Sequence, residues 1–317
     1  PEAPLAEGLV DRFQDQGLPV FGPTQAAAQI EASKAFAKEL MGRYSIPCAQ
    51  SLTFDYYAEA RHFIERHNIP LVVKADGLAA GKGVTIAGTR NEALAAVYAC
   101  LEEEAFGPAG QKVVIEQWLE GREVSVFAFT DGEAISPLVA ACDYKRAYDG
   151  DHGPNTGGMG SYSSPEFWDQ SMAQEIERRI LHPTIQALGR EGHTYKGVLY
   201  GGIMLTKEGP KVLEFNCRLG DPETQVILPL LETDLIETME AVTKGELNKT
   251  STRWSNETCV GIVMASGGYP GEYQTGMVIT GLETIPRDAL LFHAGTRLAA
   301  PQDPDATEVI TDGGRVL

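Results

Sequence analysis

Apolar residues recur along this chain with two different periods, and the alternation between them outlines its elements. Leu5 to Gln16 carries a short helical pattern, followed by a strand ending at Phe21-Gly22. Thr24 can cap a helix on which Ile30, Phe36, Ala37, Leu40 and Met41 share one arc of about 140°. Lys34 falls at the edge of that arc, beside the core and not opposite it. The spacing predicts a further helix over residues 53–67, leading through Asn68-Ile69-Pro70 into a strand at Leu71 to Lys74. Val84 to Ala87 reads as its hairpin partner, with a helix from Asn91 to about Glu103 behind it. Strands are predicted over 113–117, 123–130 and 134–140, the last two joined by a turn at Asp131-Gly132.

Residues 141–165 show neither period. They are polar and glycine-rich, and loops of that length are usually functional or disordered. A helix over 165–190 then precedes a hairpin, Val198 to Thr206 and Lys211 to Phe215, and a helix follows over 233–244. A separate β-rich stretch starts near Val260. Hairpins outnumber βαβ crossovers, which favours an α+β fold over a doubly wound sheet.

Charge and composition narrow the partners. The chain has 317 residues, a length that suggests about two domains at ~150 residues each. Lys and Arg total 26 against 44 Asp and Glu, a net charge of −18. Such a surface gains nothing from a phosphate backbone, so nucleic-acid and anionic-membrane partners are disfavoured, although a local basic pocket is not. No apolar run approaches the ~18 residues of a membrane span. The five scattered cysteines form no CxxC pair and suit a reducing, cytoplasmic setting. Pro1 and the ending Arg315-Val316-Leu317 read as the cut ends of a fragment.

Four segments could carry chemistry. In Lys74 to Val84, a lysine ends an apolar run and Gly77, Gly81 and Gly83 surround Lys82; two lysines and several amides could cradle phosphates. The spacing is not that of a Walker A loop, and a solvated hairpin turn remains the alternative. Glu116 to Glu123 links two strands and could offer backbone groups to a base and a carboxylate to ribose, or could be a solvated acidic turn. Lys145 and Arg146 precede the loop Gly153 to Gly160, an arrangement suited to an anion, with disorder as the alternative. In Glu214 to Glu223, strand alternation puts Glu214, Asn216 and Arg218 on one face and Phe215 and Cys217 on the other. A carboxylate and an amide oxygen are hard ligands suited to Mg²⁺. The alternative there is a salt-bridged strand edge. Neither histidine spacing nor a GxSxG elbow supports a metal cluster or a hydrolase triad.

Together with Phe21 to Thr24, Ser33 to Phe36 and Gly267 to Gly271, these segments resemble the glycinamide ribonucleotide synthetases (phosphoribosylamine–glycine ligases) of the ATP-grasp superfamily, nearly end to end. The resemblance implies an α+β ATP-grasp fold, two subdomains clamping ATP. It implies an N-terminal remnant and linker over residues 1–30, an ATP-grasp domain over 31–250 with a lid at about 52–118, and the start of a β-rich domain over 259–317. The implied reaction joins glycine to 5-phosphoribosylamine with ATP, in purine synthesis. By the same resemblance Lys34, Lys74 and Lys82 contact ATP, and the loop of Gly77, Gly81 and Gly83 closes over its phosphates. Glu116, Trp118 and Leu119 hold adenine and Glu123 the ribose, while Glu214 and Asn216 bind Mg²⁺ or Mn²⁺. Arg218, Asp221 and Glu223, with Lys145, Arg146, Asn155, Thr156, Gly157 and Gly158, surround the reacting carboxylate and phosphoribosyl group.

The sequence departs from that pattern at Tyr144, where histidine is common, and at Leu219, where phenylalanine is common. Gly201 to Met204 stands where many ATP-grasp enzymes carry an upstream acidic ligand. Two other readings stay open at this stage. One is a different ATP-grasp carboxylate–amine ligase. The other is a nucleotide-binding fragment, or one module of a chain fused to other purine-pathway domains.

Overall fold

The computed structural model describes residues 1–79, 83–150, 152–300 and 308–317. They divide into two compact units. The first comprises residues 1–140, 165–220 and 231–256, and the second 141–164, 221–230 and 257–317.

In the first unit, four antiparallel strands form a sheet in the order Ser51–Phe54, Val113–Gln117, Leu71–Ala75, Val84–Ala87. Leu71, Val73, Val113 and Ile115 pack against Ala60 and Ile64 of the Tyr57–Arg66 helix and Ala93 and Val97 of the Arg90–Leu101 helix. Each large side chain so buried contributes roughly 1.5–3 kcal/mol. Thr89 and Glu92 close a capping box that starts the second of these helices. A second layer is the long hairpin Gly197–Thr206 and Gly209–Asn216, whose first strand also pairs antiparallel with Arg122–Thr130. Its register shifts between Gly202 and Ile203, leaving Leu213 as the extra residue of a bulge.

Several expected elements differ. The arc from Thr24 to Met41 is two helices, Gln25–Ala32 and Lys34–Arg43. Ser33 is extended between them, its hydroxyl accepting the Phe36 N–H and donating to Asp76 Oδ1 at 2.9 Å. Asp76 Oδ1 also accepts the Ala35 N–H, so the end of a strand sets where the helix begins. The first helix likewise divides at Gly8, whose φ of +80° is left-handed. Residues 18–22 form no strand, and Ser51–Phe54 is a strand where a helix is expected from residue 53. The third expected strand begins only at Val139, after Pro137. The helix expected over 165–190 starts at Gln170, capped by Asp169, and passes through a π turn at Glu177–Leu181. Pro183 has no N–H to offer the Arg179 carbonyl, and His182 bonds five residues back to Glu177 instead.

In the second unit, Gly160–Ser163 pairs antiparallel with residues 141–143 and with Val260–Ile262. The aperiodic segment is ordered as a small hairpin of Arg146–Tyr148 and His152–Asn155.

Candidate active site

A cavity of about 190 Å³ opens within the first unit. Of the residues singled out from the sequence, Lys34, Gly83, Glu116, Glu214, Asn216 and Arg218 line it. Glu2, Glu31 and Lys38 line it too.

Lys34 is the first residue of its helix because Ser33 caps it. Its ammonium donates to the carbonyls of Gly77 (3.1 Å) and Asp76 (3.4 Å). Burial pulls the Lys34 ammonium below the usual lysine range, and Lys74 adds to that, while the Glu214 carboxylate opposes it. Lys74 ends its strand and is buried. It lies 3.1 Å from Glu116 Oε1 and donates to the Leu213 carbonyl, at the bulge, at 3.0 Å. Lys38 lies 3.1 Å from the other oxygen, Glu116 Oε2. Two lysines therefore flank one carboxylate that is only 2% exposed.

The long hairpin supplies the opposite polarity. Burial along residues 214–218 alternates as the sequence predicts: Phe215 and Cys217 are buried, while Glu214 is exposed and Asn216 and Arg218 are half-buried. Among the described residues no side chain pairs with the Glu214 carboxylate. Arg218 lies against two carboxylates, with Nε 2.9 Å from Glu2 Oε2 and 3.3 Å from Glu31 Oε1. Glu31 Oε2 accepts the Cys217 N–H at 2.7 Å. Burial pushes the Glu31 carboxyl up, against the pull of the Cys217 N–H and Arg218.

Gly77 serves packing. A Cβ there would meet Cα and Cβ of Ala109 at 2.8 Å, so the chain end of the strand fits only without a side chain. Gly83 is equally close to Ala79. Gly81 and Lys82 lie outside the described residues. Leu119 is buried, Trp118 is 39% exposed and Glu123 is exposed at the start of its strand. None of these three lines the cavity.

The remaining candidates belong to the second unit. Arg146 Nη1 donates to the Gly153 carbonyl at 2.7 Å, and Lys145 lies 3.8 Å from Asp143. Thr156 bonds the Lys145 carbonyl through both its N–H and its hydroxyl. Arg315 donates to the Gly157 carbonyl and to Asp221, each at 2.7 Å, and the Tyr269 hydroxyl accepts the Gly157 N–H. Asn155 is exposed, Gly158 has a φ of +108°, and Glu223 is buried. Sequence reasoning leaves Glu2, Glu31, Lys38, Arg315 and Tyr269 without a role. Lys38 had a signal, four residues after Lys34 and so on the same helix face. For Glu31 no local signal exists.

Family models of phosphoribosylglycinamide synthetase match three stretches of this chain: the N domain over residues 1–31, the ATP-grasp (A) domain over 32–224 and the C domain over 259–317. The chain belongs to the phosphoribosylglycinamide synthetase family. A phosphoribosylamine–glycine ligase of Halalkalibacterium halodurans is 49% identical over all of this chain and 72% of its own length. One from Escherichia coli O157:H7 is 48% identical over all of this chain and 73% of its length. The crystal structure of the Thermotoga maritima phosphoribosylamine–glycine ligase matches at a TM-score of 0.82 and 35% identity, covering 94% of this chain and 72% of that one. A biotin carboxylase of Campylobacter jejuni in a β-γ-ATP complex matches at 0.66 and 16% identity, covering 96% and 68%. That likeness concerns the fold alone. The fold of this synthetase-family chain is ATP-grasp.

Proposed function

We propose that this chain joins glycine to 5-phosphoribosylamine at the expense of ATP, giving glycinamide ribonucleotide, ADP and phosphate in purine synthesis. The observation that carries the reading is the cavity itself. Its lining joins the cations Lys34 and Lys38 to Glu214, Asn216 and Arg218, and Lys74 lies 3.1 Å from Glu116 of the same lining. Family membership supplies the substrates.

A carboxylate is a poor electrophile, so the glycine oxygen first attacks the γ-phosphorus of ATP and ADP leaves. The amine of phosphoribosylamine then attacks the acyl carbon, phosphate departs, and the amine loses its proton to give the amide. Both steps move negative charge between oxygens, and fixed cations stabilise it. Lys34 and Lys74 would neutralise the nucleotide phosphates, and residues 77–83 would exclude water from the mixed anhydride. The Glu116 to Glu123 linker would hold the base and ribose. Arg218 would orient a carboxylate, and the Lys145-Arg146 hairpin with the Asn155 to Gly158 loop, Asp221 and Glu223 would serve the phosphoribosyl group.

Glu214 and Asn216 fit a hard divalent cation. An unpaired carboxylate and an amide oxygen share one strand face, a donor set for Mg²⁺ or Mn²⁺. Among the described residues no group of three or more His, Cys, Asp or Glu is arranged to hold a metal ion; at Glu214 and Asn216 phosphates and water would complete the coordination. When bound, the cation would supply charge neutralisation on the transferring phosphoryl group.

No helix is long and apolar enough to cross a membrane among the described residues. Five free thiols agree with a reducing compartment, and the cytoplasm is part of the proposal. The acyl phosphate can be trapped: with ATP, Mg²⁺ and glycine but no amine, hydroxylamine should yield glycine hydroxamate and ADP together. ADP release without hydroxamate would count against it.

A further inference from the structure

We propose that Lys38 is a positioning residue that selects the base of the nucleotide, acting through the Glu116 carboxylate. The inference rests on the ATP-dependent reading above and deepens it.

Lys34 and Lys38 are four residues apart on one helix and both line the cavity. Their partners differ. Lys34 reaches backbone carbonyls, whereas the Lys38 ammonium has one carboxylate, Glu116 Oε2 at 3.1 Å, and is itself 8% exposed. Lys74 cannot replace it, because its ammonium is shared between Glu116 Oε1 and the Leu213 carbonyl. Burial pulls the Lys38 ammonium below the usual lysine range, and the Glu116 carboxylate opposes that pull.

The pairing is close but not aligned. Neither Lys38 Nζ nor Glu116 Oε1 has a partner in hydrogen-bond geometry, although both lie within ion-pair distance. The two lysines fix the place of the carboxylate, one beside each oxygen. An ionised carboxylate accepts and never donates. Held at the wall of this cavity, it matches the exocyclic amine of adenine and repels the carbonyl that guanine carries at that position. Lys38 thus makes base selection depend on a carboxylate that meets the base, while Lys38 itself touches only that carboxylate.

The test compares ATP with GTP in the full chain at saturating glycine and phosphoribosylamine. Lys38→Met is expected to raise the KM for ATP about tenfold, to lower kcat by less, and to narrow the ATP:GTP ratio of kcat/KM about tenfold. Lys38→Arg should restore most of the ratio. Added to Glu116→Gln, Lys38→Met should shift the ratio by less than about twofold, since the carboxylate it acts through is gone. An unchanged ATP:GTP ratio in folded Lys38→Met, or a full further loss in the Glu116→Gln background, overturns the proposal. Calorimetric titration of Mg²⁺–ATP and Mg²⁺–GTP reads the same ratio without turnover, so a failed ligase assay in the wild-type chain is told apart from a failed role for Lys38. If Lys38→Met does not fold, Lys38→Gln carries the same comparison.

Discussion

Glu31 ties Arg218 and the backbone just past the Gly209–Asn216 strand to the Gln25–Ala32 helix. One carboxylate oxygen lies 3.3 Å from the Arg218 guanidinium and the other accepts the Cys217 N–H at 2.7 Å. Glu31 sits on the helix before Ser33, so it fixes the face on which Glu214, Asn216 and Arg218 project.

Glu31→Ala should therefore do more than remove a charge. It leaves a buried N–H without its acceptor and takes one of two carboxylates from Arg218, a loss of roughly 1–3 kcal/mol in stability. The expected kinetic effect is a drop of about ten- to a hundredfold in kcat/KM for glycine, with the KM for ATP changing little. Glu31→Gln keeps the oxygen that receives Cys217 and should lose less stability than activity. Equal losses in ATP and glycine kinetics would argue against this division of labour.

The lowered Lys34 has a consequence for pH. It carries its charge below its own folded-state value and loses it above, and that value lies under the ordinary 10.5. In the free enzyme kcat/KM for ATP should accordingly fall as pH rises through that value. Lys34→Arg keeps its charge across the range, so the midpoint should move upward. An alkaline limb with the same midpoint in both proteins would assign the titration to another group.

Glu214→Gln keeps the shape and an oxygen donor but removes the charge that attracts a divalent cation. Turnover is expected to fall by about a hundredfold or more, with the Mg²⁺ needed for half-maximal rate rising. Circular dichroism should be unchanged, because no side chain among the described residues pairs with Glu214. A variant with the wild-type Mg²⁺ titration would end its assignment as a ligand.

Gly77→Ala tests the close approach of the strand end to the Gly107–Gly110 turn. Its Cβ would meet Ala109 at 2.8 Å and the turn must give way, at roughly 1–3 kcal/mol. A lower melting temperature together with a raised KM for ATP is expected, since the Gly77 carbonyl holds Lys34 at 3.1 Å. Wild-type melting would mean the turn yields without cost.

What the sequence discloses here follows the range of the interactions. The face shared by Glu214, Asn216 and Arg218 is legible because a period of two is local, and the Leu71 to Lys74 hairpin is legible for the same reason. The break at Ser33 is not, since it depends on Asp76, 43 residues away. Ser51–Phe54 is a strand only because Val113–Gln117 pairs with it; neither Leu52 nor Thr53 is buried, so no inside–outside alternation announces it. Lys38 shares a helix face with Lys34, but what it does there is not legible until Glu116 arrives beside it, and Glu31 reads as an ordinary helical acid until the chain past the hairpin brings Arg218. Lys34 and Lys74 are visible as candidates in the sequence; their partners across the fold are not.

The most direct test of the account is product formation by the chain with ATP, Mg²⁺, glycine and phosphoribosylamine. The account expects glycinamide ribonucleotide and ADP to form one for one, and only when all four are present. Equal ADP release with glycine omitted, or amide formation at the same rate with another amino acid in its place, would contradict it.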